Sequence, residues 1–306
     1  MAVFEEEKLF TYSDAELLRF IKSSPHQAPL RHIFLLSPLY IAKLYYNDAA
    51  QDAARATKLA SELGVHVPCV RRIVRDGNLT YSVMDRIYGG PLHHLWSDLD
   101  WTRSMRLALQ LRGMIRKMQS VQSKTAGSLE TGQCRSFYLQ DFYGLPQLAG
   151  RKEINAFLTF WMEFQSMERE EEKDIKEHVR RPKIGYSASR MNFVHHNLSP
   201  RNIMLDADGK LWLMNWDYAG FYPKSFEHAA MHSFMRTDWN RGTRMRWKVF
   251  SWIATGVHGR DAQLLEKCRA KFLRDQFGRE ANIKDLGYAA ASGSRDWETS
   301  EGQSVL

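Results

Sequence analysis

Residues 193–217, FVHHNLSPRNIMLDADGKLWLMNWD, decide the fold of this chain. A short apolar, strand-like run leads into the polar loop HHNLSPRN (195–202), which is followed by two more apolar runs. The four residues between these last runs, DADG (206–209), have a composition typical of a β-turn. Helical patterns flank this island on both sides. A polar loop set among helices is more typical of a functional site than of a core element.

The N-terminal part of the chain predicts a small mixed lobe with the element order β–β–α–β–β. Two apolar runs within residues 32–46 flank a Ser-Pro turn and predict two strands. The Ala-rich run 48–63 has helical spacing and ends at a glycine. Two further strand-like runs, within residues 69–87, flank a Gly-Asn pair, which indicates a hairpin.

A capped helix is predicted ahead of these strands. Residues 13–22, SDAELLRFIK, are amphipathic, with apolar positions at helical spacing. Ser13 and Glu16 have the spacing of a capping box, in which each side chain bonds the backbone of the other. The helix is therefore expected to begin directly after Ser13.

After Gly89-Gly90-Pro91 the pattern becomes mostly helical, with a long loop over residues 123–150. Helices are predicted over residues 101–121 and 153–179, and two or three more within 226–278. The class expected is α+β with two lobes, a small mixed β lobe followed by a larger helical lobe. The expected divisions are a nucleotide-type lobe (1–88), a helical lobe with the 195–202 loop (89–288) and a disordered tail (289–306).

The loop and its surroundings have the spacing of a kinase catalytic site. HHNLSPRN fits the pattern H-x-D-L-x-x-x-N, except that Asn197 stands where an aspartate belongs. Asn215 follows the hairpin at the place where a kinase carries its second magnesium-binding aspartate. Lys43, on a predicted strand, has the place of the lysine that holds the nucleotide phosphates.

On these residues the chain resembles the aminoglycoside phosphotransferase and choline kinase group of protein-kinase-like small-molecule kinases. The resemblance is to its fungal branch, which typically reads HxDLxPRN and DWDYAGWYP. This chain has HHNLSPRN (195–202) and NWDYAGFYP (215–223), and the resemblance covers roughly residues 30–275. It implies a two-lobed kinase-like fold, a cytoplasmic transferase of secondary metabolism, and ATP and Mg²⁺ as cofactors.

The resemblance also implies roles for individual residues. Asn197 has the position of the base that orients or deprotonates the acceptor hydroxyl. Asn202 and Asn215 have the positions that bind magnesium, and Lys43 steadies the phosphates. The remaining nucleotide-binding positions are an acidic helix partner for Lys43, either Asp52 or Glu62, and the strand and hinge residues Met84, Asp85 and Ile87.

Two of these positions carry amides in place of carboxylates. Asn197 cannot take up a proton at neutral pH, and loss of a general base typically costs about 10²–10⁴ in rate. Asn215 offers Mg²⁺ no negative charge, so binding of Mg²⁺ and ATP should be weakened. Asp217 is a candidate substitute ligand or acid/base. His196 is a candidate to face the cleft, since an extended backbone would direct it opposite to His195, which braces the loop.

We therefore expect a homologue that has lost phosphoryl transfer, either a pseudokinase or a protein with a repurposed cleft. The alternative is a residual ATP-dependent phosphotransferase acting on a small hydroxyl or amine compound, with Asp217 and Asn202 holding one metal ion. The predicted partner is a small-molecule ligand. Protein partners remain open.

Composition and motifs do not favour a nucleic-acid-binding, membrane-spanning or zinc-binding protein. The chain has 306 residues and 44% hydrophobic residues, which are ordinary globular values, and its three cysteines form no CxxC pair. The formal charge of +8 suits either solubility or an anionic partner, and no nucleic-acid motif accompanies it. No apolar run is long enough to span a membrane. His228 and His232 have i, i+4 spacing but lack the glutamate of HExxH, so a zinc site is not favoured.

Overall fold

The computed structural model describes residues 4–46, 49–139, 144–163, 190–233, 235 and 238–274. The helices are α1 (Asp14–Ser23), α2 (Ala49–Glu62), α3 (Leu92–Leu95), α4 (Trp101–Gln119), α5 (Arg151–Glu163), α6 (Ser225–Ser233), α7 (Arg241–Thr255) and α8 (Gly259–Arg274). The strands are β1 (His26–Gln27), β2 (Leu30–Leu35), β3 (Tyr40–Tyr46), β4 (Val70–Asp76), β5 (Leu79–Asp85), β6 (Gly90–Pro91), β7 (Gln122–Ser123), β8 (Met191–Val194), β9 (Ile203–Leu205), β10 (Leu211–Leu213) and β11 (Gly220–Tyr222).

The N-terminal part is a five-stranded antiparallel sheet in the order β1-β2-β3-β5-β4. Its elements confirm the predicted order β–β–α–β–β and add the two-residue strand β1. The helix α1 begins after Ser13 with both bonds of the capping box present. Leu17 and Ile21, one turn apart on α1, are fully buried in the same apolar cluster as Phe34 and Val83 of the sheet.

The C-terminal part is mostly helical, so the expected α+β class is confirmed. Its largest apolar cluster includes α4 and α7, and the rings of Trp96, Trp247 and Phe250 meet there at centroid distances of 5.0 Å. Three helices, α6 to α8, occupy the region where two or three were expected. None of the helices in the described parts of the chain is long and apolar enough to cross a membrane.

The polar loop 195–202 lies between two small antiparallel sheets. One consists of β7, β8 and β11, and the other of β6, β9 and β10. The chain leaves β8 at Val194, forms the loop, and enters β9 at Ile203. The β9–β10 hairpin closes with the backbone carbonyl of Asp206 accepting the N–H of Gly209, as the predicted turn requires. Each end of the loop is therefore fixed by strand pairing.

Some predictions fall outside the described residues. The helix expected over 153–179 is present as α5 up to Glu163, and the positions from 164 to 179 are not described. The tail 289–306 also lies outside the described residues. The division of the chain at residues 88 and 288 stays a prediction.

The connection between the sheet and the helical part passes very close to β9. A side chain at Gly89 would place its Cβ against the carbonyl oxygen of Leu205, well inside van der Waals contact. The next residue, Gly90, pairs with Leu205 in the small sheet. Glycine is needed at position 89 because only a missing side chain allows the two backbones to approach this closely.

Gly89→Ala should therefore destabilise the protein, by about 2 kcal/mol or more, because the methyl group meets backbone that cannot move aside. The matched control is Gly113→Ala in α4, where an added Cβ meets nothing within 4 Å. That control should stabilise by roughly 0.5–1 kcal/mol through helix propensity. Urea unfolding followed by circular dichroism measures both, and equal stability changes of the same sign would contradict the steric argument.

Candidate functional site

A buried carboxylate of the helical part holds the polar loop in place. Glu227, on α6, is 0% exposed and accepts the backbone N–H of His195 at 2.7 Å and that of His196 at 3.0 Å. These two amides would otherwise be buried donors without partners. Burial raises the pKa of Glu227 to about 7, against the lowering effect of the two N–H bonds. The loop conformation therefore depends on a residue far along the chain.

His195 braces the loop from the other side, in agreement with its expected role. Its Nδ1 accepts the backbone N–H of Asn197 at 3.2 Å. Its Nε2 therefore carries the proton and donates to the carbonyl of Met214 at 2.9 Å. Burial lowers the pKa of His195 to about 4, so the ring is neutral at physiological pH. The neutral ring ties the loop to the segment that leads into Asn215.

His196 lies in an aromatic cage and does not point into an open cleft. Its φ of 64° is left-handed, so the expectation based on an extended backbone is wrong. The ring stacks on Tyr222 at a centroid distance of 4.8 Å and packs on Phe226 at 5.3 Å. Its Nε2 bonds the Ser136 hydroxyl at 2.8 Å. Burial lowers the pKa of His196 to about 3, and such a buried neutral ring is poorly placed for acid/base work.

Asn197 and Asn202 contact each other across the loop. The Asn202 Nδ2 donates to the backbone carbonyl of Asn197 at 2.9 Å. Asn197 is 1% exposed, and its Oδ1 has no hydrogen-bond partner among the described residues. Where the motif expects a carboxylate base, the chain therefore has a buried neutral acceptor. Such a group can accept a hydrogen bond but cannot take up a proton.

Lys43 connects β3 of the sheet to the segment that contains Asn215 and Asp217. Its Nζ donates to Asn215 Oδ1 at 2.5 Å and to both carboxylate oxygens of Asp217 at 2.7 Å. The Lys43 side chain is 9% exposed and that of Asp217 is 26% exposed. Asn215 has a φ of 64°, a left-handed conformation that asparagine adopts more readily than most residues. The structure thus brings together three residues that the sequence placed in one site.

Asp52 does not pair with Lys43, so the expected helix partner is wrong. On α2, Asp52 is 1% exposed and accepts the N–H of Thr131 at 2.9 Å and its hydroxyl at 2.8 Å. It also forms an ion pair with Arg135. Burial would raise the pKa of Asp52, but the Thr131 hydrogen bonds and the Arg135 charge hold it below its ordinary value. Glu62, the other candidate, is exposed at the end of α2.

The three strand and hinge residues have different environments. Met84 is 7% exposed on β5, opposite Ile41 of β3. The carboxylate of Asp85 is bound by Arg71 at 2.7 and 2.9 Å, and its backbone N–H donates to the Cys69 carbonyl at 3.0 Å. Ile87 is half-buried just after β5. Their role in nucleotide binding stays a prediction.

The turn between β2 and β3 contains no glycine. The Ser37 hydroxyl accepts the N–H of Leu39 at 3.2 Å and that of Tyr40 at 3.1 Å, which closes the turn with a side chain. Tyr88, in the segment between β5 and β6, donates its hydroxyl to the Pro38 carbonyl at 2.6 Å. The turn is thus fastened to this segment, and its amides at Leu39 and Tyr40 are already engaged.

Several residues of the site were not identified from the sequence. Glu227 and Ser136 are far from the motif, and no local pattern connects either of them to it. Tyr45 could have been found, since it lies two positions after Lys43 on the same strand and so on the same face. The Lys43 ammonium lies 4.6 Å from the Tyr45 ring centroid. Burial, and then the Asp217 carboxylate, raise the pKa of Tyr45 well above its ordinary value.

The donor set does not suit the magnesium ion that the resemblance implies. The Asn215 oxygen and both Asp217 oxygens already accept from the Lys43 ammonium. In the described residues no group of three or more His, Cys, Asp or Glu side chains could hold a metal ion. The rings of His228 and His232 lie 4.4 Å apart, but the pair belongs to no such group in this part of the chain.

Comparisons with known proteins give a likeness to solved structures alone. The chain is similar to an aminoglycoside phosphotransferase from Streptomyces rimosus, at 12% identity and a TM-score of 0.47, over 76% of this chain and 86% of that one. It is similar to choline kinase from Streptococcus pneumoniae, at 14% identity and a TM-score of 0.45, over 81% of each chain. A third similar structure is the streptomycin–ATP complex of APH(2")-IIa, at 14% identity and a TM-score of 0.46, over 88% and 89%. No protein-family model and no curated protein matches the chain.

The buried Glu227 predicts a specific pH dependence of stability. Its folded pKa of about 7 lies above the ordinary value of 4.5, so the folded state holds the proton more tightly between these two values. Ionisation in this window opposes folding. Relative to Glu227→Gln, the wild type should therefore lose on the order of 3 kcal/mol of unfolding free energy as the pH rises from 4.5 to 7.

Denaturant unfolding of both proteins at several pH values measures this difference. Glu266→Gln is the matched control, because Glu266 is an exposed glutamate whose carboxylate bonds only Ser233 among the described residues. The control should keep the pH profile of the wild type. A difference between wild type and Glu227→Gln that does not change with pH would contradict the argument.

Proposed function

We propose that this chain is a kinase-like small-molecule-binding protein that has lost efficient phosphoryl transfer. It is either a pseudokinase that holds a nucleotide or metabolite, or a protein whose cleft has been repurposed. The observation that carries the proposal is the site around Lys43. Lys43 contacts Asn215, one of the two positions expected to be catalytic aspartates, and engages the carboxylate of Asp217. The other expected aspartate position is Asn197, in the adjacent loop.

The first support is the absence of a base at position 197. The Asn197 amide is buried, and nothing in its surroundings can give it proton affinity. The adjacent His196 is neutral and enclosed by aromatic rings. Asp217 is exposed enough to meet a ligand, but its charge is balanced by the lysine. An acceptor hydroxyl placed beside Asn197 would be oriented without being deprotonated.

The second support is the loss of charge where a transferring phosphoryl group needs it. Phosphoryl transfer relies on positioning and on stabilisation of the negative charge that the transferring group carries. Replacing a metal-binding carboxylate by the Asn215 amide removes the charge that holds a divalent ion. Lys43 then supplies positive charge to a bound phosphate without a metal ion beside it. That arrangement suits binding better than catalysis.

A residual phosphotransferase is the alternative, and the retained residues favour it. Lys43 and Asn202 keep the identities found in active kinases of this pattern, and Asp217 keeps one carboxylate nearby. With one metal ion on Asp217 and Asn202, slow transfer to a hydroxyl or amine could continue. Absence of any Mg-ATP binding by calorimetry would eliminate this alternative.

The double reversion Asn197→Asp with Asn215→Asp tests the proposal. It restores both carboxylates, so turnover of Mg-ATP should rise by at least about 10²-fold over the natural chain, whose turnover should be near background. Release of inorganic phosphate measures turnover, and isothermal titration calorimetry measures Mg-ATP binding.

The control carries two Asn→Asp changes outside the site. Asn78 lies in the exposed β4–β5 turn, and Asn240 caps α7, a role that aspartate also fills. This control has the same change of net charge and should show no gain in turnover. Turnover of about 1–100 s⁻¹ by the natural chain, the range of working kinases, would overturn the proposal.

A further inference from the structure

Three side-chain oxygens that could hold a cation in the cleft already accept from an ammonium group. Lys43 Nζ lies 2.5 Å from Asn215 Oδ1 and 2.7 Å from each carboxylate oxygen of Asp217. Asn215 has one of the two metal positions of the sequence pattern, and Asp217 is the candidate substitute ligand. The lysine charge therefore occupies the place that a metal ion would need.

The charges around this point balance without a metal. Asp217 contributes one negative charge and Lys43 one positive charge, while Asn197, Asn202 and Asn215 are neutral. The two loop histidines are also neutral, since burial lowers their pKa values to about 4 and about 3. A divalent cation placed here would share a single carboxylate with an ammonium a few ångströms away, and the two like charges would repel. Mg²⁺ strongly prefers anionic oxygens, so it gains little at this site.

Lys43 is suited to accept an anion directly. It lies on β3, in register with Ser82 of β5 and inside a five-stranded sheet, so its backbone is well fixed. The acid on α2 that could compete for it, Asp52, is held by Thr131 and Arg135. Asp217 is thus the one carboxylate paired with Lys43 in the described residues. Its side chain is 26% exposed and can turn to water when it is displaced.

We propose that the cleft binds a phosphate-bearing ligand as the free anion, without a divalent cation, and that Asp217 competes with this ligand for Lys43. The proposal rests on the proposed function, because it specifies the form in which a nucleotide-type ligand binds. Phosphate oxygens replace the Asp217 carboxylate on the ammonium, which has three N–H donors. Asp217 then acts as an internal competitor, whereas in a metal-dependent site the same carboxylate would assist binding.

This gives a test based on the sign of a mutational effect. Calorimetric titration with ATP is done in EDTA and again in excess Mg²⁺. The wild type should bind at least as tightly in EDTA as in Mg²⁺. Asp217→Asn should bind ATP about fivefold more tightly in EDTA, because it removes the competing ion pair, which is of the strength typical of a partly exposed pair. Lys43→Met should bind at least about tenfold more weakly in both buffers.

Asp76→Asn is the matched control. It removes one carboxylate that pairs with Lys22 at 2.6 Å on the protein surface, on β4, which β5 separates from the strand of Lys43. Its ATP affinity should equal that of the wild type in both buffers, which separates the local effect from the general change in charge. Asn215→Asp restores a carboxylate at a position that the sequence pattern gives to a metal ion, and Mg²⁺ should then improve ATP binding.

Several outcomes overturn the inference. ATP binding by the wild type only in Mg²⁺ would show that the site needs a metal. A weakening of binding in EDTA by Asp217→Asn would show that the carboxylate assists the ligand rather than competing with it. Both results leave the proposed function standing, since a ligand still binds. No ATP binding in either buffer by protein with a native circular dichroism spectrum would remove both the inference and the nucleotide-type form of the proposed function.

Discussion

The contact of Lys43 with Asn215 and Asp217 is the interaction on which the site depends. It joins β3, the central strand of the five-stranded sheet, to two residues that lie 172 and 174 positions further along the chain. The three bonds keep a buried ammonium satisfied, since an unpaired charge at 9% exposure would be strongly unfavourable. The same contact determines the chemistry, because a site whose one carboxylate is neutralised has little left with which to hold a divalent cation.

The loop beside this contact is rigid for a separate reason. Glu227 binds the amides of His195 and His196, and each histidine ring makes a further bond, one to Met214 and the other to Ser136. A rearrangement of the loop would have to break these hydrogen bonds. A neutral, closely packed loop of this kind has little freedom to reorganise. Its two histidines do not change protonation near neutral pH, because burial lowers their pKa values to about 4 and about 3.

Local signals in the sequence predicted most of the fold. The capping box at Ser13 fixed the start of α1, and Gly77, with a φ of 60°, lies in the turn between β4 and β5. The spacing of the 195–202 loop placed it between strands. Assignments that depended on side-chain direction were less successful. Asp52 lies on the helix that was expected to supply a partner for Lys43. Thr131 and Arg135, in the long loop after β7, bind its carboxylate instead. Spacing along the sequence contains no information about which of these partners is bound.

The sequence by itself determined the element order, the α+β class, and the replacement of two expected aspartates by Asn197 and Asn215, because these depend on residue identity and on periodicity along the chain. Only the tertiary structure decided which partners the charged and polar groups have. The pairing of Lys43 with Asp217, the role of Glu227 and the burial of His196 all join residues distant in sequence. Their energies depend on burial and on distances in space, which no local pattern encodes.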